Sequence, residues 1–126
     1  MSFDPCVALA SKLTAYGTVG TNIFIGFAPD EVDDCIMLRE VPGPGPVIHS
    51  VCYDVQVLLR GARAQQDATR AKAENIRNTI WELRPQTIGG VFYGGFNIIT
   101  DIDRLGLDEQ NRPLFSLNVR LLRSRT

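Results

Sequence analysis

Histidine and paired cysteines are scarce in this chain. The 126 residues include one histidine and three cysteines. General acid–base catalysis most often uses histidine, and only His49 is available here, beside a Pro/Gly-rich stretch. The number of cysteines is odd, and no two of them show CxxC spacing: they are Cys6, Cys35 and Cys52. This pattern favours free thiols in a reducing compartment. Their scattered spacing favours ordinary packing over a zinc site shared with His49.

Long apolar runs and a basic surplus are also missing. No run approaches the roughly 18–20 apolar residues of a membrane helix, and no secretory signal pattern opens the chain, so we expect no membrane partner. The 13 basic and 14 acidic residues give a net charge of −1, which argues against sequence-specific nucleic-acid binding. Neither a phosphate-binding glycine motif nor a nucleophile elbow is present. Length and composition predict one globular domain over residues 1–126.

The near-zero net charge hides an asymmetry along the chain. Residues 1–59 hold seven acids and two bases, a net charge of −5, and residues 60–126 hold eleven bases and seven acids, a net charge of +4. Eleven of the thirteen bases are arginine, which is enriched at protein interfaces. By itself this split identifies no partner.

Hydrophobic periodicity predicts the element order α-β-β-β-α-β-β-β. Helices are predicted over 4–16, where Asp4 is a suitable N-cap, and over 63–84, which Pro85 ends. Alternation predicts strands over 22–27, 35–40, 51–60, 88–93, 96–105 and 114–123. We expect a hairpin between the first two strands, a hairpin turn at Gly94-Gly95, and an open edge at the last strand. The fold class is therefore α+β, a mostly antiparallel sheet with two helices packed on one face.

Three segments are candidates for a subunit or partner interface. The first is an acidic turn, which is a solvated turn, a subunit contact or a metal site. The second is a Pro/Gly-rich loop at 41–47, either a spacer or a docking arm. The third is the arginine-rich end of the chain, either a solvated edge or a partner contact. Their residues are Asp30, Glu31, Asp33 and Asp34; Pro42, Gly43, Pro44 and Gly45; and Arg120, Arg123 and Arg125.

Two phrases of the sequence resemble a known family. One is the strand Tyr53-Asp54-Val55-Gln56-Val57 running to Arg60-Gly61 and into the following helix, and the other is Leu105-Gly106-Leu107-Asp108 running through Arg112-Pro113 to Val119. The acidic turn before 35–38, followed by a Pro/Gly-rich loop, is similar in layout. From about residue 4 to residue 122 the chain resembles the tail terminator (tail completion) and minor capsid proteins of tailed bacteriophages.

The resemblance implies a structural virion protein, not an enzyme, with no cofactor, metal or catalytic residue. It implies a ring, usually a hexamer, that caps the head-proximal end of the tail tube, stops its polymerisation and offers a surface to the neck. The partners would be further copies, the tube protein and a neck or connector protein, in the virion and, during assembly, in the host cytoplasm. Two alternatives stay open: another head–tail connector component, or a small ferredoxin-like ligand-binding domain or enzyme.

Overall fold

The computed structural model describes residues 4–44 and 50–124, which form two helices, a 3₁₀ turn and six strands. In chain order these are α1 (Pro5–Ala10), the 3₁₀ turn (Thr14–Tyr16), β1 (Ile23–Ile25), β2 (Cys35–Val41), β3 (Ser50–Arg60), α2 (Gln66–Trp81), β4 (Gln86–Ile88), β5 (Val91–Leu107) and β6 (Pro113–Ser124). The order follows the predicted α-β-β-β-α-β-β-β, with the 3₁₀ turn added.

Helix α1 is shorter than predicted at its C-terminal end. Its start agrees with the sequence, because the Asp4 carboxylate accepts a hydrogen bond from the backbone N–H of Cys6 at 2.9 Å. After Ala10, the amides of Lys12 and Leu13 donate to carbonyls only three residues back, which tightens the turn into 3₁₀ geometry. Leu13 is nevertheless fully buried in the core.

Helix α2 also begins later than predicted. Ala64 has φ of 65°, a left-handed conformation that interrupts any helix from residue 63. The helix therefore starts at Gln66, where the hydroxyl of Thr69 donates to the carbonyl of Gln65 at 2.7 Å. One face of α2 is buried through Ala73, Ile76 and Ile80.

The six strands form one mixed sheet in the order β1-β2-β3-β6-β5-β4. Four of the five neighbouring pairs are antiparallel, and β1 pairs with β2 in parallel, with Ile23 opposite Ile36. The predicted hairpin between the first two strands is therefore wrong. The connection over residues 26–34 is longer than a hairpin turn of two to five residues, and it carries the chain back to the starting end of the sheet.

Two further expectations are corrected by this topology. The last strand, β6, lies between β3 and β5 and is not at an open edge. The hairpin turn falls at Gly89-Gly90, whose φ values of 59° and 81° are both positive, as a type I′ turn requires. Gly94 and Gly95 lie inside β5, where the backbone runs close to β6: a Cβ on Gly95 would lie 3.0 Å from a side-chain carbon of Leu122.

One face of the sheet and both helices share a single core. On β3 and β6 the alternate residues facing this core lie directly opposite each other, for example Val57 and Leu117. The helices bury Leu9 and Leu13 from the first segment and Ile76 and Ile80 from α2 in the same core. The helices therefore cover one face of the sheet, as predicted, and the side chains that alternate with the core residues lie on the opposite face.

The outer side of β5 is only partly covered. Strand β4 pairs with Val91–Tyr93 alone, so within the described residues the backbone of 94–107 is paired on its β6 side only. The register between β5 and β6 is regular over Gly95–Ile98 and shifts between Tyr93 and Gly95 and at several later positions. A short regular stretch of open sheet edge therefore lies beyond the end of β4, after one irregularity.

Candidate interaction surfaces

The acidic turn is organised around one buried arginine. The side chain of Arg112 is 3% exposed. Its Nε donates to the Asp108 carboxylate at 2.8 Å, and one Nη donates to the backbone carbonyl of Asp30 at 2.7 Å. The guanidinium also contacts the carboxylates of Asp30 and Asp33, each at 3.3 Å. Arginine suits this position because its planar donors can satisfy several acceptors at once.

A second arginine holds the same turn from the end of β3. Arg60 donates through Nη to the carbonyl of Pro29 at 2.7 Å and through Nε to that of Val32 at 3.1 Å. These bonds explain why residues 26–34 do not form a simple hairpin turn. Their backbone carbonyls are fixed to the end of the sheet by Arg60 at the end of β3 and by Arg112, which directly precedes β6.

Asp108 completes this cluster. Its carboxylate accepts hydrogen bonds from the backbone amides of Gln110 and Arg112 at 2.9 Å each, as well as from the Arg112 side chain. Burial alone would raise the pKa of Asp108, but these hydrogen bonds and the nearby positive charge hold it below its ordinary value. Asp108 is therefore ionised throughout the neutral range and keeps Arg112 in place.

The other acids of the turn differ in their partners. Asp34 forms an ion pair with Lys72 on α2 at 3.1 Å. Glu31 is exposed and forms no ion pair with any residue in the described part of the chain. Asp30 keeps most of its side chain, 82%, in contact with solvent despite its bond to Arg112. The turn therefore combines internal anchoring with an acidic outer surface.

The arginine-rich end is placed differently from the acidic turn. Arg120 on β6 donates two hydrogen bonds, at 2.9 and 3.1 Å, to Asp54, which lies directly opposite it on β3. Arg123 lies further along β6, near Tyr93, whose pKa burial raises to about 12. Within one chain the structure does not join Arg120 to the acidic turn. Arg125 lies outside the described residues.

The Pro/Gly-rich loop runs over this ion pair. Pro42, Gly43 and Pro44 are exposed and form no regular structure, whereas Gly45 lies outside the described residues. A Cβ on Gly43 would lie 3.3 Å from the carboxylate carbon of Asp54. Asp54 is only 7% exposed although it lies on the face of the sheet away from the helices. The loop therefore covers the Asp54–Arg120 pair.

Among the described residues, acidic and cysteine side chains do not gather into a metal site. Asp101 pairs with Arg77 at 3.1 Å, and its pKa is lowered by the hydrogen bond from the Ile102 amide and by Arg77. Within residues 4–44 and 50–124 no group of three acidic, cysteine or histidine side chains is arranged to hold a metal ion. His49 lies outside the described residues. Cys6 and Cys35 are buried free thiols.

Sequence reasoning missed two grooves, each marked by an exposed aromatic residue. The "Phe27 groove" has a volume of about 270 Å³ and is lined by Phe27, Met37, Leu58 and Leu114 together with Asp30, Asp108, Glu109, Gln110, Arg60 and Arg112. The "Trp81 groove" has a volume of about 570 Å³ and lies between α2 and β5, lined by Arg77, Trp81, Phe96–Ile99 and Asp101.

The side chain of Phe27, two residues beyond β1, is 77% exposed. Trp81, the last residue of α2, is 73% exposed. It is the only tryptophan of the chain. A lone tryptophan at the end of a helical stripe is the one signal in the sequence that pointed to this surface, because tryptophan is over-represented at interface centres.

Among the helices that the structure describes, none is long and apolar enough to span a membrane. The fold and its surface define a class: a small α+β protein with exposed grooves beside Phe27 and Trp81. A protein-family comparison identifies which one: residues 12–124 match the model described as bacteriophage tail terminator protein. The match covers most of the chain, so this protein belongs to the bacteriophage tail terminator family. Curated protein sequences yield no match to it.

Family membership confirms the resemblance seen in the sequence and makes the chain a structural component of a phage tail. It also implies association with other tail components. The first segment that carried the resemblance forms β3 and the approach to α2, and the second forms the end of β5 and the first half of β6. Strands β3 and β6 are the two central strands of the sheet, and β5 lies beside β6.

Proposed function

We propose that this protein forms a closed ring of six copies at the head-proximal end of the tail tube. The ring ends polymerisation of the tube and joins the tail to the neck of the capsid. The observation that carries the proposal is the family match over residues 12–124. The role is structural, with further copies, the tube protein and a neck protein as partners, and with assembly in the host cytoplasm before incorporation into the virion.

The surface of the subunit supports assembly by unlike contacts. The Phe27 groove lies on the sheet face away from the helices, since Met37 and Leu58 alternate there with core residues, whereas the Trp81 groove involves α2 and the outer side of β5. Contact between two different patches generates a ring when the rotation closes. Isologous contact through one patch would give a dimer instead.

The three segments singled out in the sequence stay candidate contact regions. In the acidic turn, Asp30 and Glu31 present carboxylates to solvent. Pro42–Pro44 form an exposed loop on the sheet face away from the helices. Because Arg120, Asp33 and Asp34 each have a partner within the chain, we expect Glu31 and this loop to contribute more to subunit or partner contacts than those three side chains.

The oligomeric state tests the proposal directly. Light scattering coupled to size exclusion should give the mass of six chains of 13.9 kDa each, and electron microscopy should show rings with an open centre. The measurement should be repeated with the tube protein present, since a ring can require its partner to assemble. A monomer under both conditions would contradict the ring.

A further inference from the structure

The Phe27 groove offers a small apolar contact surface. Its apolar lining comes from Met37, Leu58 and Leu114, and the side chain of Phe27 beside them is 77% exposed. At about 270 Å³ the groove is smaller than the roughly 300–1,000 Å³ typical of small-molecule pockets. The groove therefore suits an apolar side chain of a partner protein better than a free small molecule.

The charge of this groove is negative where a partner can reach it. Three carboxylates and two guanidinium groups line the groove, a formal net charge of −1. Both bases, Arg60 at 7% and Arg112 at 3% exposure, are buried and donate to carbonyls or carboxylates of their own chain. Asp30 and Glu109 are exposed, and Glu31, which follows Asp30, extends the exposed acidic rim.

Bonds within the chain hold this rim in place. Arg112 binds the carboxylates of Asp30 and Asp108, and Arg60 binds the carbonyl of Pro29 at 2.7 Å. The side-chain amide of Gln110 donates to the Asp30 carboxylate at 3.3 Å. A rim that is already ordered costs a partner less conformational entropy on binding, which favours a recognition surface at this position.

The exposed bases of this chain are offset by acids close to them in sequence. Five bases among the described residues are exposed, and each has an acidic residue within four positions. These pairs are Arg39 and Glu40, Arg63 and Asp67, Arg70 and Glu74, Arg84 and Glu82, and Arg104 and Asp103. Charge complementarity to the acidic rim therefore favours a different protein over a second copy of this chain.

We propose that the Phe27 groove binds a basic segment of a different tail protein. An apolar side chain of that segment enters the groove, and neighbouring lysine or arginine side chains face Asp30, Glu31 and Glu109. The inference rests on the proposed function for the source of the partner. Opposite charges across the contact accelerate encounter and reject acidic partners. Because salt screens exposed charges, the affinity should fall as the ionic strength rises.

Peptide binding tests the proposal. Overlapping peptides from the tube and neck proteins of the same phage, and from this chain, should be titrated against the purified protein. We expect the tube or neck peptides that bind to carry lysine or arginine beside an apolar residue. Combining Glu31→Gln with Glu109→Gln should weaken their binding roughly fivefold, and Phe27→Ala should weaken it roughly tenfold.

The matched control combines Glu82→Gln with Asp103→Asn, which removes the same charge from two exposed acids that do not line the groove. This control should bind the peptides like the wild type, and all variants should melt like the wild type. Tight binding of acidic or uncharged peptides, no peptide binding, or equal binding by the Glu31 and Glu109 double variant would overturn the proposal.

Two further outcomes distinguish this contact from the ring. Preferential binding of peptides from this chain would put a second copy in the groove and overturn the proposal. Ring formation should be measured separately by light scattering, and the Glu31 and Glu109 double variant should form rings like the wild type. A wild-type chain that binds the basic peptides but forms no ring, even with tube protein, would refute the proposed function and leave the groove contact standing.

Discussion

Truncating a core leucine of β6 tests the topology that the sequence did not reveal. Leu117 is 1% exposed and lies opposite Val57 on β3, with β5 on the other side of its strand. Leu→Ala changes in such sites cost about 2–5 kcal/mol, more where the surroundings cannot collapse into the cavity. Because hydrogen bonds hold β6 on both sides, we expect Leu117→Ala to cost about 4 kcal/mol.

That loss is large against a total stability of about 5–15 kcal/mol for a domain. For a chain of this size it should lower Tm by roughly 10–20 °C. Leu105→Ala is the control, because Leu105 is 46% exposed on β5 and its truncation should cost less than about 1 kcal/mol. Circular dichroism during thermal and urea unfolding measures both variants. All samples need one protein concentration, since assembly would add stability by mass action.

Equal losses in the two variants would refute the reasoning. Such a result would mean that β6 is not clamped between β3 and β5 at Leu117. A loss in Leu117→Ala that came with a changed slope of the urea transition would also count against the simple cavity argument, because it would indicate a change in the surface exposed on unfolding.

Three further predictions concern titratable and charged groups. Burial, with Asp4 and Glu40 nearby, raises the pKa of the Cys6 thiol to about 12, so a thiol reagent at pH 8 should modify Cys52 well before Cys6, and similar rates would contradict the structure. The folded-state pKa of Asp108 lies below its ordinary value, so the ionised carboxylate stabilises the fold above the ordinary pKa, and this stabilisation is lost as the pH falls through the folded-state pKa. Asp108→Asn should therefore be less stable than the wild type at pH 7, by a difference that shrinks in acid. A difference that stays constant with pH would argue against the ion cluster. Arg120→Glu should lower Tm, and adding Asp54→Arg should restore it; restoration by Lys at Asp33 and Asp34 instead would show that Arg120 contacts the acidic turn of another subunit.

Much of the fold could be predicted because several elements carry long one-sided patterns. Strand β3 was predicted over 51–60 and is observed over Ser50–Arg60, and β6 was predicted over 114–123 and is observed over Pro113–Ser124. Five alternating apolar residues in β3 and four in β6 define one face of the strand. Helix α2 was predicted with three extra residues at each end. At its start the difference arises because Ala64 turns the chain before the helix, a conformation that the pattern does not show.

Hydrophobic alternation did not predict the direction in which strands pair or which strands are neighbours. A strand of three residues such as β1 has too few alternations to fix its partner. The connection that follows it is held by Arg60 and Arg112, which are distant in sequence, so its path could not be predicted from the local pattern. The turn was misplaced because the sequence contains two Gly-Gly pairs. Only the observed positive φ at Gly89 and Gly90 distinguishes the turn from the pair inside β5.

The charge asymmetry along the sequence corresponds largely to ion pairs within the chain. Most of the acids that carry the negative half bond within the chain to bases from the positive half: Asp30 and Asp33 to Arg112, Asp34 to Lys72, and Asp54 to Arg120. The sheet order places the strands of residues 1–59 on one side and those of residues 60–126 on the other, so several of these ion pairs join its two halves.

The length of tail tubes is the most direct test of the central claim. Purified tube protein from the same phage should be polymerised with and without this protein, and tube lengths should be measured by electron microscopy. We predict that tubes assembled with it stop growing and carry a ring at one end, while tubes without it continue to elongate. Equal length distributions, with no density bound at either tube end, would contradict the assignment of this protein as the ring that terminates the tail.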